Sequence, residues 1–318
     1  MHEVENMFYC NEVPWHGLGI KLNEPPTVEE AIIKAGLDWE VKRIPLVMEG
    51  TDIHVPAFAN VRSTDGKVLG VVGPTYCPLQ NKDAFQWFQS YVDSGEVTLE
   101  TAGSLREGRH VWILARIKQE PIEIVKNDPV LNYILLSTSH DGTKSIRGGL
   151  TGIRCVCMNT LQAAHDSKSS KLLKVRHTEK ATDALEEIHK SLNLARREFV
   201  ATTEGMKKMA RKGVTVETLK AYVREVFEPK LTLNKEDDKE AKEKMDRQIA
   251  RVIPLFENGR GSNIPGVKGT MWGAYNSITE LLTWKRGHSA DTRLENLWLG
   301  DAANLARKAY DVALKLAA

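Results

Sequence analysis

Four cysteines in 318 residues are too few for a disulfide framework, and they are badly spaced for a metal. Cys155 and Cys157 form C-x-C, while Cys10 and Cys77 have no partner at ligand spacing, so structural zinc has no pattern to support it. Buried free thiols in a reducing compartment are the expectation. Aromatic residues are also sparse, at 7%. No apolar stretch reaches the roughly 18 residues of a spanning helix. The opening run MHEVENMFYCNEVPWHG lacks a basic region followed by an apolar one, which predicts a chain that is neither exported nor membrane-bound. Neither charge sign dominates: 44 Lys and Arg face 42 Asp and Glu, a formal net charge of +2. The phosphate-loop and dinucleotide patterns GxxxxGK[ST] and GxGxxG are missing, as are GxSxG, HExxH and DxDxDG. The expectation is therefore no cofactor, no metal and no catalytic residue.

What the chain does have is an ordinary globular composition, with 42% hydrophobic and 27% charged residues. In the first half, Val41–Glu49, Ile53–Ser63, Lys67–Val72, Val97–Leu105, His110–Ile117 and Tyr133–Ser139 are rich in β-branched and aromatic residues. Asp65-Gly66, Glu107-Gly108 and Asp141-Gly142 punctuate them, and turns this short join antiparallel strands. Thr27-x-x-Glu30 is a capping box that opens a helix through Lys34, with Gly36 just beyond its end. A second helix is expected between Pro78 and Gly95.

The pattern changes after Lys180. Leu185, Ile188, Leu192, Ala195, Phe199, Met206 and Met209 recur at helical spacing, predicting a helix over about 181–212 that Gly205 weakens or breaks. Val216–Phe227 predicts another, burying Leu219, Tyr222, Val223 and Val226, with Pro229 after it. The charge-dense Lys235–Arg251 reads as a solvated helix. Met271–Lys285 and Leu294–Ala317 complete the series. The fold class is thus α+β: an antiparallel, β-rich core over 1–180 with packed helices, then a mainly helical region over 181–318.

The functional signal centres on His140–Leu161. Between His140 and Lys180, eight cations (Lys144, Arg147, Arg154, Lys168, Lys171, Lys174, Arg176 and Lys180) face three acids, a local net charge of +5. Clustered cations suit a phosphate backbone because each contact releases a condensed counterion. The plainer alternative is a hairpin with ordinary surface charge. Exposed bases stack on aromatic faces; Tyr76 and Trp15, in Gly/Pro-rich loops, are the candidates, whereas Trp87 and Trp112 lie in apolar patterns and read as core. His140-Asp141 and His165-Asp166 are lone dyads, short of the further ligands that metal-assisted hydrolysis needs.

Several runs carry a family resemblance. They are Pro14-Trp-His-Gly-Leu-Gly, Tyr76-x-Pro-x-Gln-Asn81, Gly103-Ser-Leu-Arg-x-Gly-Arg109, Arg154-Cys-Val-Cys-Met-Asn-Thr-Leu161, Gly269-Thr-Met-Trp-Gly-Ala-Tyr-Asn276 and Trp298-Leu-Gly300. Together they resemble the phage/plasmid-like proteins that carry the domain of unknown function numbered 932. The resemblance implies a role in replication, recombination or counter-defence on a mobile element, and it supplies no site residue. The outline is also similar to phage single-strand annealing proteins, which is a fold-level analogy. The expectation is a cytoplasmic, homo-oligomeric protein of a bacterial host cell that binds single-stranded DNA and anneals strands without ATP. Lys144, Arg147, Arg154, Lys168, Lys171, Lys174 and Arg176 would hold phosphates, with Tyr76 and Trp15 stacking. Two alternatives stand: a factor that binds a host or phage protein to counter host defence, and a metal-dependent nuclease using the His-Asp dyads.

Overall fold

The computed structural model describes residues 4–10, 19–154, 159–161, 173–178, 202–228, 235–286, 296–297 and 301–318. It is α+β, with antiparallel sheets in the first half and helices concentrated in the second. Two compact units are present. The first comprises 1–119, 132–150 and 171–196, and the second comprises 120–131, 151–170 and 197–318. Both units are discontinuous in sequence.

The first unit is built on one large sheet and one small one. The large sheet takes β1 (Val4–Cys10), β2 (Ile20–Leu22), β6 (Val97–Leu105), β7 (His110–Ile117), β9 (Asp128–Ser139) and β10 (Ile146–Arg154), in the order β10-β9-β7-β6-β1-β2. A short strand β12 (Leu173–Val175) pairs antiparallel with the start of β10. Helix α1 (Val28–Lys34) has its capping box in place: Thr27 accepts from the Glu30 amide, and the Glu30 carboxylate accepts from the Thr27 amide at 3.0 Å. Gly36, with φ +64°, follows it. The helix expected after Pro78 is two pieces, α2 (Asn81–Gln86) and α3 (Gln89–Asp93), because the Phe88 amide reaches only three residues back, to Phe85. Both pieces still bury Phe85, Phe88 and Tyr91 in a core with Leu99, Ile113, Ile134 and Leu136. Trp112 is buried and Trp87 packs against that core, as their apolar patterns predict. Cys10 is a buried free thiol that burial pushes up to about 11.

The small sheet is β3 (Val41–Val47), β4 (His54–Arg62) and β5 (Val68–Val72), a meander in that order. Asp65-Gly66 lies in its second turn, with Gly66 at φ +72°.

The second unit is mainly helical. Its strands are the short β8 (Ile122–Val125), paired with the first residues of β9, and β11 (Asn159–Leu161), paired with the last residues of β10. Helix α4 covers 202–211 of the described residues; the rest of the helix expected over 181–212 lies outside them. Gly205 does not break α4. A Cβ there would collide with the Tyr310 hydroxyl, which donates to the Thr202 carbonyl at 2.9 Å, so glycine permits a close helix crossing. Helix α5 (Val216–Phe227) buries Leu219, Tyr222, Val223 and Val226, as the periodicity predicts. Helix α6 (Lys235–Asn258) outruns the expected end at Arg251 by two turns and contains Pro254. Buried Val252 and Phe256 hold that extension against the core. Helix α7 (Met271–Glu280) is buried on every side and passes into a π-turn, Leu281–Lys285. Helix α8 (Asp301–Ala317) buries Ala302, Ala303, Ala306, Ala309 and Ala313 with Tyr310 and Val312. No helix among the described residues is long and apolar enough to cross a membrane.

Candidate nucleic-acid interface

The expected phosphate-holding residues do not all fall where the structure can place them. Trp15, Lys168 and Lys171 lie outside the described residues, as do Cys155, Cys157, His165 and Asp166. Arg154 ends β10, where it pairs with Asn159. The remaining cations come together in the first unit. The β10–β12 ladder sets Ile146 opposite Val175, Arg147 opposite Lys174 and Gly148 opposite Leu173. Arg147 and Lys174 therefore occupy one rung, although 26 residues of chain separate them. Arg176 is exposed just past the end of β12, and half-buried Lys144 lies just before β10.

Beside this ladder is a buried polar cluster that fixes its ends. Ser139 Oγ donates to the Lys144 carbonyl and accepts from the Lys144 amide, both at 3.0 Å, which closes the turn between β9 and β10. Tyr76 donates its hydroxyl to the Ser139 carbonyl at 2.6 Å, and its ring stacks on His177 with centroids 4.6 Å apart. The His177 carbonyl accepts from the Cys77 amide at 3.0 Å. Burial holds the His177 imidazole down at about 4, so it is neutral near pH 7. Burial also raises the Tyr76 phenol. The proposed stacking ring thus has one face occupied by an imidazole and its hydroxyl tied to the backbone.

His140 lies deeper. Its Nε2 bonds Asn81 Oδ1 at 2.9 Å, and Asn81 donates its amide nitrogen to the Leu37 carbonyl at 3.1 Å. That orientation makes Nε2 the protonated nitrogen and leaves Nδ1 as a buried acceptor with no hydrogen-bond partner among the described residues. Burial first, then the neighbouring His177, pulls His140 down to about 3. The next residue has a different partner. Asp141 accepts from His110 Nε2 at 3.1 Å and from the Thr143 hydroxyl at 2.6 Å. Burial disfavours the Asp141 carboxylate, yet these hydrogen bonds, with that from the Thr143 amide, hold it below the usual range. His140 and Asp141 are thus turned to separate partners and do not converge on one point. Among the described residues, no group of three His, Cys, Asp or Glu could hold a metal ion.

The small sheet is anchored to the same cluster through polar contacts. Asn60 Nδ2 donates to the His140 carbonyl at 2.7 Å. A Cβ on Gly70 would stand 2.5 Å from Asp141 Cα, so only glycine allows β5 to approach that turn. Arg62, almost fully buried, bonds both Glu5 and Asp65. Asn81 is legible as the end of the Tyr76-x-Pro-x-Gln-Asn81 run, whereas His110, Asn60 and Arg62 show only as polar residues in strands and Thr143 as a turn residue after Asp141-Gly142.

The runs that carry the family resemblance acquire physical roles here. In Tyr76-x-Pro-x-Gln-Asn81, Tyr76 and Asn81 hold the cluster, while the Gln80 amide accepts from the Val41 amide and donates to its carbonyl, at 2.9 and 3.0 Å. In Gly103–Arg109, a Cβ on Gly103 would stand 2.5 Å from the Asn6 carbonyl oxygen, and the Arg109 carbonyl accepts from the His140 amide at 2.7 Å. In Gly269–Asn276, Thr270 caps α7, and Trp272 donates its indole N–H to buried Asp128 at 2.7 Å. These are devices that hold the fold.

Residues 68–309 match the family described as Domain of unknown function (DUF932), and the chain belongs to that family. Neither a curated protein nor a solved structure matches it.

Proposed function

We propose that this protein binds single-stranded DNA through the β10–β12 ladder and anneals complementary strands without ATP. The setting would be the cytoplasm of a bacterial host, as the phage- and plasmid-borne resemblance implies. The observation that carries the reading is the rung that pairs Arg147 with Lys174, flanked by Lys144 and Arg176. The ladder register brings two cationic positions into one rung, and a polyanion that tracks clustered cations releases a condensed counterion at each contact. The hydrogen bonds of Ser139, Tyr76 and His177 hold the ladder ends in place before any ligand arrives, which lowers the ordering cost of binding.

The test is fluorescence anisotropy with a labelled oligonucleotide across a salt series. Affinity should fall with salt, and Arg147→Ala and Arg176→Ala should each flatten the log–log slope by about 0.7. Absence of binding at the lowest salt, or binding indifferent to salt, would sink the proposal. A strand-annealing assay without nucleotide then decides whether binding extends to annealing.

A further inference from the structure

Antiparallel sheets with one solvated face place apolar residues inward and polar ones outward. The β3–β4–β5 sheet departs from this, because its outward face is apolar as well. Directly paired residues share a face, and the pairings define each face as rows. One face holds Val41 with Arg62, Arg43 with Asn60 and Gly70, and Pro45 with Phe58 and Val72. This is the face that bonds Glu5, Asp65 and the His140 carbonyl. The opposite face holds Lys42 with Val61 and Val68, Ile44 with Ala59 and Val71, and Leu46 with Val55. On it Ile44 is 46% exposed, Val55 40%, Val68 50% and Val71 59%. Met48 and Ile53, at the tip of the β3–β4 hairpin, are also exposed. Ala59 and Val61 of the central strand are buried, but the apolar residues on the strands beside them lie open to water, and an exposed apolar patch marks an interaction surface.

We infer that this face is the contact between two copies of the chain, packed sheet on sheet about a two-fold axis. The order of residues along the hairpin selects that occupant. Its root carries Lys42 and its tip carries Glu49 and Asp52, with the apolar rows between them. When two such hairpins lie antiparallel, the cationic root of each meets the anionic tip of the other while the apolar rows cover one another. A two-fold interface requires this kind of self-complementarity. The surface suits other occupants poorly. Lys42 is the one cation in the rows of this face, too little for a nucleic acid. The acidic tip, without Trp or Tyr, opposes an anionic lipid surface. Pro45 on the edge strand β3 lacks an amide donor, so the contact is face packing and not strand addition. This inference goes beyond the DNA-binding reading and stands without it.

The test uses the full chain, free of nucleic acid, in sedimentation velocity over a concentration series. The wild type should sediment at twice the chain mass. Val71→Lys, at the most exposed apolar position in the rows of the face, should give monomer with an unchanged circular dichroism spectrum. Lys42→Glu should weaken the dimer about threefold or more, as expected for a rim ion pair turned repulsive. Combining Lys42→Glu with Glu49→Lys should restore it, an outcome that simple misfolding would not produce. A monomeric wild type overturns the inference. So does a dimer that both Val71→Lys and Lys42→Glu leave intact.

Discussion

The two faces of the small β3–β4–β5 sheet differ in what they ask of their surroundings. The inner face mixes buried apolar residues, Val41 and Val72, with specific polar contacts: Asn60 bonds one carbonyl, Arg62 two carboxylates, and Gly70 fits one turn. The outer face is apolar and open. Burial of apolar surface is non-directional, and hydrogen bonds are not. The directional contacts that fix where the sheet sits within the first unit therefore come from the inner face. An apolar face that the unit does not use for its own core remains available for another molecule.

Four measurements would break or sharpen this contrast. The largest effect should come from acid. His140 and His177 are held near 3 and 4, against 6.5 for a free imidazole. A buried base whose folded value is depressed contributes its full stability above 6.5 and loses it as pH falls toward the folded value. Each should cost about 1.4 kcal/mol per pH unit in that window. Because the unfolded imidazoles are only half protonated at 6.5, urea melts at pH 6.5 and 5.0 should differ by about 3 kcal/mol. Hydrogen exchange should place the loss around the inner face. Equal stability at the two pH values would refute the placement of these rings.

Asn60→Ala comes next. It leaves the buried His140 carbonyl short of a donor, at a cost of about 2 kcal/mol in the same melts. Tyr76→Phe removes a single hydroxyl bond to the Ser139 carbonyl and should cost about 1 kcal/mol, with ring stacking on His177 preserved. The outer face should respond least. Val71→Thr, at an exposed site with no polar partner to lose, should stay within about 0.5 kcal/mol in the monomer. A larger loss there would mean that the outer face serves the fold after all.

Much of the secondary structure was legible. Strands Val97–Leu105 and His110–Ile117 and helix Val216–Phe227 fall where pattern and turn residues place them. Alternation, caps and glycine turns act over a few residues, and local sequence contains all they need. Strand β10 was not legible as a strand, because its Ile-Arg-Gly-Gly-Leu-Thr-Gly run is poor in the β-branched and aromatic residues that signal one. The split between α2 and α3 escaped for a related reason: apolar residues at 84, 85, 88 and 91 keep helical spacing across the tightened turn. Of the candidate interface, the excess of cations was visible as composition, but the rung joining Arg147 to Lys174 was not. A register between strands so far apart depends on tertiary packing.

By itself the sequence determined the α+β class, the positions of most turns and caps, and the apolar stripes that become helix cores. It also located a basic stretch within a nearly neutral chain. Only the tertiary structure decided which polar residues are buried and what they hold. It set His140 on Asn81, Asp141 on His110, and Asn60 on the His140 carbonyl just after β9. It also decided that Ile44 and Val71 face water and not a core. Periodicity can show that one face of a strand is apolar, but not whether the rest of the chain comes back to cover it. That depends on contacts between residues far apart in sequence, and only the folded chain contains them.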